Sequence, residues 1–184
     1  MPRLFIAADI SDEARSLAAD LIGGLRNAFP SKGIGWVKPE NLHITIKFLG
    51  DTDGTTEPKL IETLDRITSA YAPFKLHLSK PEILGKRVMS IAVKSDSATV
   101  FSLEMVIDTE CERLGFKREG RRFHPHLTLA RIRDPRGIDP LISQFLRFQL
   151  EPVEFDVREI VLYESRMTKA GSEYSKVKAF TLQN

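Results

Sequence analysis

A four-residue pattern occurs twice in this chain, as His43-Ile44-Thr45-Ile46 and as His126-Leu127-Thr128-Leu129. Side chains alternate faces along a β-strand, so in each copy His and Thr point one way and the two aliphatic residues the other. The pattern therefore demands two strands, each with one face in a core and the other meeting water, a ligand or polar partners. The chain holds four His. With Thr at roughly 6% of positions, two of four having Thr two residues on is expected in about 2% of random chains. Aliphatic residues in all four interleaved slots lower that by well over tenfold, so accident does not account for the repeat.

Two imidazoles, each beside a hydroxyl, suit metal-free acid–base chemistry at phosphorus. An unperturbed imidazole titrates near pH 6.5, so both of its protonation states are populated near neutrality. One can take a proton from an attacking water while the other gives one to a departing oxygen. The Thr hydroxyls can donate to the non-bridging oxygens where negative charge concentrates. Zinc or manganese would want three or more clustered ligands, and neither motif has a His or carboxylate at ligand spacing beside it. A nucleophile elbow of the serine-hydrolase type is missing as well.

The 184 residues carry a net charge of +2, too small for nucleic-acid binding by bulk electrostatics, so any phosphate affinity must be local. Hydrophobic residues at 42% and charged residues at 28% are the balance of a soluble globular protein. One domain over residues 1–184 is expected. No apolar run reaches the ~18 residues of a membrane span, and the N-terminus lacks a signal pattern. The single Cys111 excludes an internal disulfide or a Cys-rich zinc site, and a reducing cytoplasm is the simplest compartment.

Leu4 to Ala8 reads as a buried strand, and Ser11 with Asp12 and Glu13 as a helix start. Gly33-Ile34-Gly35 reads as a break, and Leu42 to Leu49 as the first motif strand. A helix over about Thr56 to Ala70 precedes strands near Phe74–Leu78, Glu82–Leu84 and Met89–Lys94. Ser97 to Leu114 is the clearest helix, stopped at Gly115. The second motif strand follows a basic segment. A short helix from Asp139 and strands near Val153, Ile160 and Tyr174 complete the chain. The motifs lie 83 residues apart, each after a helix, which predicts two similar halves facing across a cleft. Antiparallel α+β fits better than a parallel doubly wound sheet, because dinucleotide and phosphate-loop fingerprints are absent. Strict alternation puts Phe48 on the core face with Ile44 and Ile46, and Lys47 on the polar face with His43 and Thr45. In the second strand it puts Ala130 on the polar face and Arg131 with the core residues. Arg131 would reach the cleft only if the strand ends or bulges there.

The stretch Trp36 to Asp51 (WVKPENLHITIKFLGD), with Phe123 to Arg131 (FHPHLTLAR), resembles the RNA 2′,3′-cyclic phosphodiesterases. These are also called 2′-5′ RNA ligases and belong to the two-histidine phosphoesterase superfamily. The opening Arg3 to Ala7, and Leu162-Tyr163-Glu164-Ser165 with Gly171 and Tyr174, extend the likeness over nearly the whole chain. The resemblance implies a bilobal α+β fold with pseudo-twofold symmetry. Two antiparallel sheets would face each other around a central cleft, with helices outside. It implies metal-free, cofactor-free opening of an RNA 2′,3′-cyclic phosphate to a 2′-phosphate, with 2′-5′ ligation as the reverse reaction. Carried over, His43 would donate a proton to the leaving 3′-oxygen, His126 would accept one from water, and Thr45 and Thr128 would hold the phosphate. Its partner would be RNA with cyclic phosphate ends, and a monomer is expected.

Arg131 is a candidate phosphate clamp, and Phe48, Tyr174 and Trp36 are candidate base-stacking residues. Lys117, Arg118, Arg121 and Arg122 could steer an RNA end. His124 sits beside the motif, His77 reads as an exposed strand residue and Cys111 as a helix-packing one. Competing readings keep the site and change the substrate to 2′-5′ oligonucleotides or small cyclic nucleotides, or keep the cleft as a non-catalytic binding module.

Overall fold

The computed structural model describes residues 1–30, 32–169 and 171–183. Its elements are β1 (Arg3–Asp9), α1 (Asp12–Ala28), β2 (Ile34–Trp36), a 3-10 turn (Pro39–Asn41), β3 (His43–Asp51) and α2 (Thr56–Thr68). Then come β4 (Phe74–Leu84), β5 (Val88–Lys94), α3 (Thr99–Arg113), β6 (His126–Ile132) and α4 (Asp139–Arg147). The chain closes with β7 (Glu154–Val157), β8 (Glu159–Thr168) and β9 (Gly171–Thr181).

Local chemistry sets most of these boundaries. The Ser11 hydroxyl accepts the Ala14 N–H at 3.2 Å, and Asp12 and Glu13 occupy the positive end of the α1 dipole. Past α3 the chain turns at Gly115 with φ +93°, a conformation glycine adopts without steric cost. Two expectations change. Gly33 to Gly35 does not interrupt the sheet: Ile34 to Trp36 forms β2 on the edge of β6. A Cβ on Gly35 would lie 3.0 Å from Nε of Arg133, so glycine permits that approach. The two short strands expected between 74 and 84 are one, β4, with a register shift between Leu78 and Pro81 where the proline can sit without breaking the ladder.

All assigned strand pairs are antiparallel, and the sheet runs β7-β4-β5-β6-β3-β1-β8-β9. The two sheets expected from the sequence are the halves of this strongly curled sheet. They join at one partner pair, Ile44 opposite Leu127. Outward from that seam one half reads β3, β1, β8, β9 and the other β6, β5, β4, β7, so each motif strand is innermost in its half. The helix-linked units β1-α1-β3-α2 and β5-α3-β6-α4 repeat the same order. Ile44, Leu127 and Leu129 are buried in one core with Leu60 of α2, Leu103 of α3 and Leu141 of α4. The motif His and Thr lie on the opposite face. No helix among the described residues is long and apolar enough to cross a membrane.

Candidate active site

The same backbone irregularity shapes both motifs. β1 matches Ala7 to Thr45 and Ile6 to Lys47, leaving Ile46 unmatched. β5 matches Ser90 to Thr128 and Met89 to Ala130, leaving Leu129 unmatched. Ile46 and Leu129 are the fourth residues of their motifs, so each strand bulges at the same place. A bulge adds one residue and inverts the alternation beyond it. Ile46 with Lys47, and Leu129 with Ala130, therefore turn inward as consecutive pairs. The next residues, Phe48 and Arg131, come out on the His–Thr face. Phe48 is 58% exposed, and Arg131 is exposed with no side-chain hydrogen bond or ion pair among the described residues. The strict-alternation placement of Phe48 and Arg131 in the core, and of Lys47 and Ala130 on the polar face, is corrected by the two bulges.

Each imidazole is oriented the same way. His43 Nδ1 lies 2.7 Å from the Asn41 carbonyl and His126 Nδ1 lies 2.8 Å from the His124 carbonyl, both two residues upstream. A carbonyl only accepts, so each Nδ1 carries a proton and each Nε2 is free for chemistry. The Thr45 hydroxyl is 3.0 Å from His43 Nε2 and donates to it when the ring is neutral. Carried one residue either way from the Ile44–Leu127 pair, the register sets His43 across from Thr128 and Thr45 across from His126. Thr45, Phe48 and His126 line a hollow of about 340 Å³ between the halves, together with Arg121, Arg122 and His124. Glu104 and Glu119 also line it, and burial raises the Glu104 carboxyl above the usual range.

The surroundings of the two rings differ. His43 rests on Phe5 at 4.9 Å and takes the edge of Tyr174 at 5.4 Å, with Tyr163 at 6.4 Å. Burial depresses its pKa; the Asn41 carbonyl and Asp9 act in the opposite sense but do not restore it. Asp9 accepts from Tyr163 at 2.6 Å and from Lys176 at 2.7 Å. Those bonds hold its carboxyl below the ordinary range although burial opposes them. His126 lies against one ring, the exposed His124, at 6.2 Å and 20°. His124 is in turn bonded to Glu82 at 2.8 Å.

Some contributors were not singled out as site residues by the sequence, although Phe5 and Tyr163 lie in stretches that carry the family likeness. Phe5 and Tyr163 floor the His43 side from β1 and β8. Lys47, turned inward by the bulge, donates to Asp108 of α3 at 2.5 Å and to the Lys117 carbonyl at 2.9 Å. Asp108 also accepts the Glu119 N–H at 3.1 Å. The first motif strand is thereby tied to the basic segment that leads into the second. Tyr174 reaches the site as a wall of His43, whereas Trp36 packs against the core. Arg121 and Arg122 line the cleft; Lys117 and Arg118 do not. Cys111 is buried in α3 and its thiol is pushed up to about 12 by desolvation. Among the described residues the one convergent trio of metal-ligand side chains is His77, Asp96 and Glu154, which includes neither motif His.

Comparison with known proteins adds three findings. Residues 13–168 match the model of the 2'-5' RNA ligase superfamily. The RNA 2',3'-cyclic phosphodiesterase of Methanothermobacter thermautotrophicus is 31% identical over 186 residues, covering 98% of either chain. That of Methanocaldococcus jannaschii is 33% identical over 181 residues, covering 96% of this chain and 98% of its own. Among solved structures, E. coli LigT complexed with 3'-AMP superposes with a TM-score of 0.78 at 25% identity, over all of both chains.

Proposed function

The chain belongs to the 2'-5' RNA ligase superfamily, and we propose that residues 1–184 form one catalytic domain that opens RNA 2′,3′-cyclic phosphate ends to 2′-phosphate ends. One observation carries the reading. Two imidazoles, each with Nδ1–H tied to the carbonyl two residues back, stand on the same face of paired strands within electrostatic reach of each other, each across from the other motif's Thr, His126 at the 340 Å³ hollow and His43 at one of about 300 Å³. That is the arrangement an in-line displacement needs, one group behind phosphorus and the other beside the leaving oxygen.

His126 takes a proton from water as its oxygen attacks phosphorus. The bond to the 3′-oxygen breaks, and His43 hands that oxygen a proton. Thr45 and Thr128 donate to the non-bridging oxygens, and Arg131, free of any protein partner among the described residues, adds a positive charge. Phe48 offers an exposed ring to the terminal base, with Tyr174 holding the His43 ring from its other side. Burial favours neutral His43, so the donor role relies on the arriving phosphate: an anion against the ring raises its pKa again. The residues supply acid, base and charge stabilisation without a metal. By microscopic reversibility, the same groups join a 5′-hydroxyl to a cyclic phosphate as a 2′-5′ linkage.

Phosphorus NMR of a 2′,3′-cyclic nucleotide incubated with the protein is the test. A 2′-monoester should appear, resistant to a phosphatase specific for 3′-monoesters, and activity should survive exhaustive chelation. Recovery of unreacted cyclic phosphate would refute the reading. A 3′-monoester would exchange the roles of the two histidines, and dependence on one added divalent metal would remove the metal-free mechanism.

A further inference from the structure

The cleft continues beyond His126. A second hollow of about 540 Å³ adjoins it, and the two share Arg122, Phe123 and His124. Together they make one trench leading from the motif residues toward α3 and the end of β5. Its outer part is floored by Phe101 and Phe123, whose rings meet edge to face at 6.0 Å and 73°. Phe101 is 38% exposed on its helix. Around this aromatic pair stand Lys94, Arg122 and His124, and no carboxylate lines the outer hollow. Lys94 and Arg122 have no side-chain hydrogen bond or ion pair among the described residues.

The opposite exit, beside His43, is built differently. That hollow is about 300 Å³ and is lined by Asp9 and Glu40 as well as Arg15 and Lys176. Its cations are engaged: Lys176 with Asp9, and Arg15 with the carbonyls of Pro39 and Leu42. Tyr163 and Tyr174 also line that hollow, so what sets the His126 side apart is an aromatic pair flanked by cations with no partner among the described residues. Single-stranded RNA is held by just that pairing, with bases on aromatic faces and phosphates on Lys and Arg.

We propose that this trench is the subsite for the nucleotides immediately 5′ of the cyclic phosphate, with a base on the Phe101–Phe123 pair and its phosphate against Lys94 and Arg122. The inference rests on the cyclic phosphodiesterase reading and adds a chain-length preference to it. The test compares kcat/KM for a 2′,3′-cyclic mononucleotide with that for a tetranucleotide ending in the same cyclic nucleotide. The wild-type protein should favour the tetranucleotide by roughly tenfold or more, the size of one base–aromatic stack. Phe101→Ala and Lys94→Gln, which lie outside the acid–base cleft, should each remove most of that preference while leaving mononucleotide turnover unchanged. Lys94→Gln should also flatten the salt dependence of oligonucleotide KM by about one unit of log–log slope. Equal turnover of the two substrates by the wild-type protein, or a full preference in both variants, overturns the trench and leaves the parent reading intact. Failure to turn over either substrate overturns the parent reading.

Discussion

The two His–Thr units are built alike and embedded differently. Each has its Nδ1–H on the carbonyl two residues upstream, a bulge at its fourth residue, and an exposed side chain turned out on the His–Thr face just beyond, Phe48 in one and Arg131 in the other. The surroundings diverge from there. His43 sits among Phe5, Tyr163 and Tyr174, with Thr45 on its Nε2, and burial lowers its pKa. His126 has the exposed His124 as its ring neighbour. At the inward bulge position one unit carries Lys47 in a buried ion pair and the other carries Ala130. The backbone thus fixes where each imidazole points, while burial among its neighbours lowers how readily His43 holds a proton. That division suits the opposite proton transfers proposed for the two copies of the motif.

The largest effects come from deleting either ring. His43→Ala and His126→Ala should each lower the rate roughly 10²–10⁴-fold, the size of one acid or base contribution. The double variant should lose much less than the product, because the two act as a unit. The comparison sharpens with a cyclic analogue carrying sulfur in place of the 3′-oxygen, since a thiolate leaves without a proton. That substrate should rescue His43→Ala and leave His126→Ala slow. Rescue of His126→Ala instead would interchange the roles, and a variant within about threefold of wild type on the natural substrate would end the two-histidine mechanism.

Lys47 against Ala130 is the next asymmetry. The Lys47 side chain is 0% exposed and its Asp108 partner 9%, so removing the cation leaves a buried carboxylate with only Arg118, at 3.3 Å, and the Glu119 N–H to hold it. Lys47→Met should destabilise the fold by about 2–3 kcal/mol, below the figure for a wholly unpaired buried charge because Arg118 remains, read as a lower urea midpoint at unchanged slope. Adding Asp108→Asn should restore part of the loss, because the charge left with Arg118 alone goes while the amide oxygen can still accept from the Glu119 N–H. A Lys47→Met variant as stable as wild type would show that the bulge holds the strand without the pair.

The threonines should separate more gently. Thr45→Val and Thr128→Val each remove one donor to the phosphate and should cost roughly tenfold to a hundredfold in kcat, toward the lower side of what a preorganised donor is worth. Thr45 also bonds His43 Nε2, so Thr45→Val should shift the pH–rate profile, and Thr128→Val should lower it without moving it. Two unshifted profiles would detach Thr45 from the proton inventory.

How much of this was legible in the sequence follows from how local each cause is. The Ser11 cap, the Gly115 stop and the His–Thr alternation are set by residues a few positions apart, and the structure has them where the pattern puts them. The bulges were not legible. Nothing in Ile46-Lys47 or Leu129-Ala130 announces an unmatched residue, because the bulge is a mismatch with β1 or β5 across the sheet. One inserted residue then reversed the reading of Phe48, Lys47, Ala130 and Arg131. The buried Lys47–Asp108 pair and the Tyr163–Asp9 bond join residues 61 and 154 positions apart, and no spacing rule reaches that far. A hint existed at Lys47: a cation in a run of apolar strand residues must find either water or a buried partner.

The smallest effect tests the electrostatic half of the comparison without any substrate. The fold holds the His43 imidazole below its ordinary value, chiefly through burial, while the unfolded chain titrates it near pH 6.5. Between those two values the unfolded state binds more protons, so stability rises with pH across that window and is lost as pH falls through it. Above about pH 7.5 both states are neutral at this position and it contributes no slope. Asp9, whose carboxyl is held low by Tyr163 and Lys176 against the pull of burial, loses its own contribution in a more acidic range, below about pH 4. The interval from about pH 5 to 7.5 therefore isolates the ring from that carboxylate. Urea melts of wild type and His43→Gln across it should run parallel at the alkaline end and converge or cross toward the acid end, with the wild type falling faster. The same series on His126→Gln measures what the other unit contributes. If the wild-type and His43→Gln curves stay parallel down to pH 5, the walls of Phe5, Tyr163 and Tyr174 do not set the proton affinity of His43. The proton affinity of His43 would then have to be set only when the phosphate is bound.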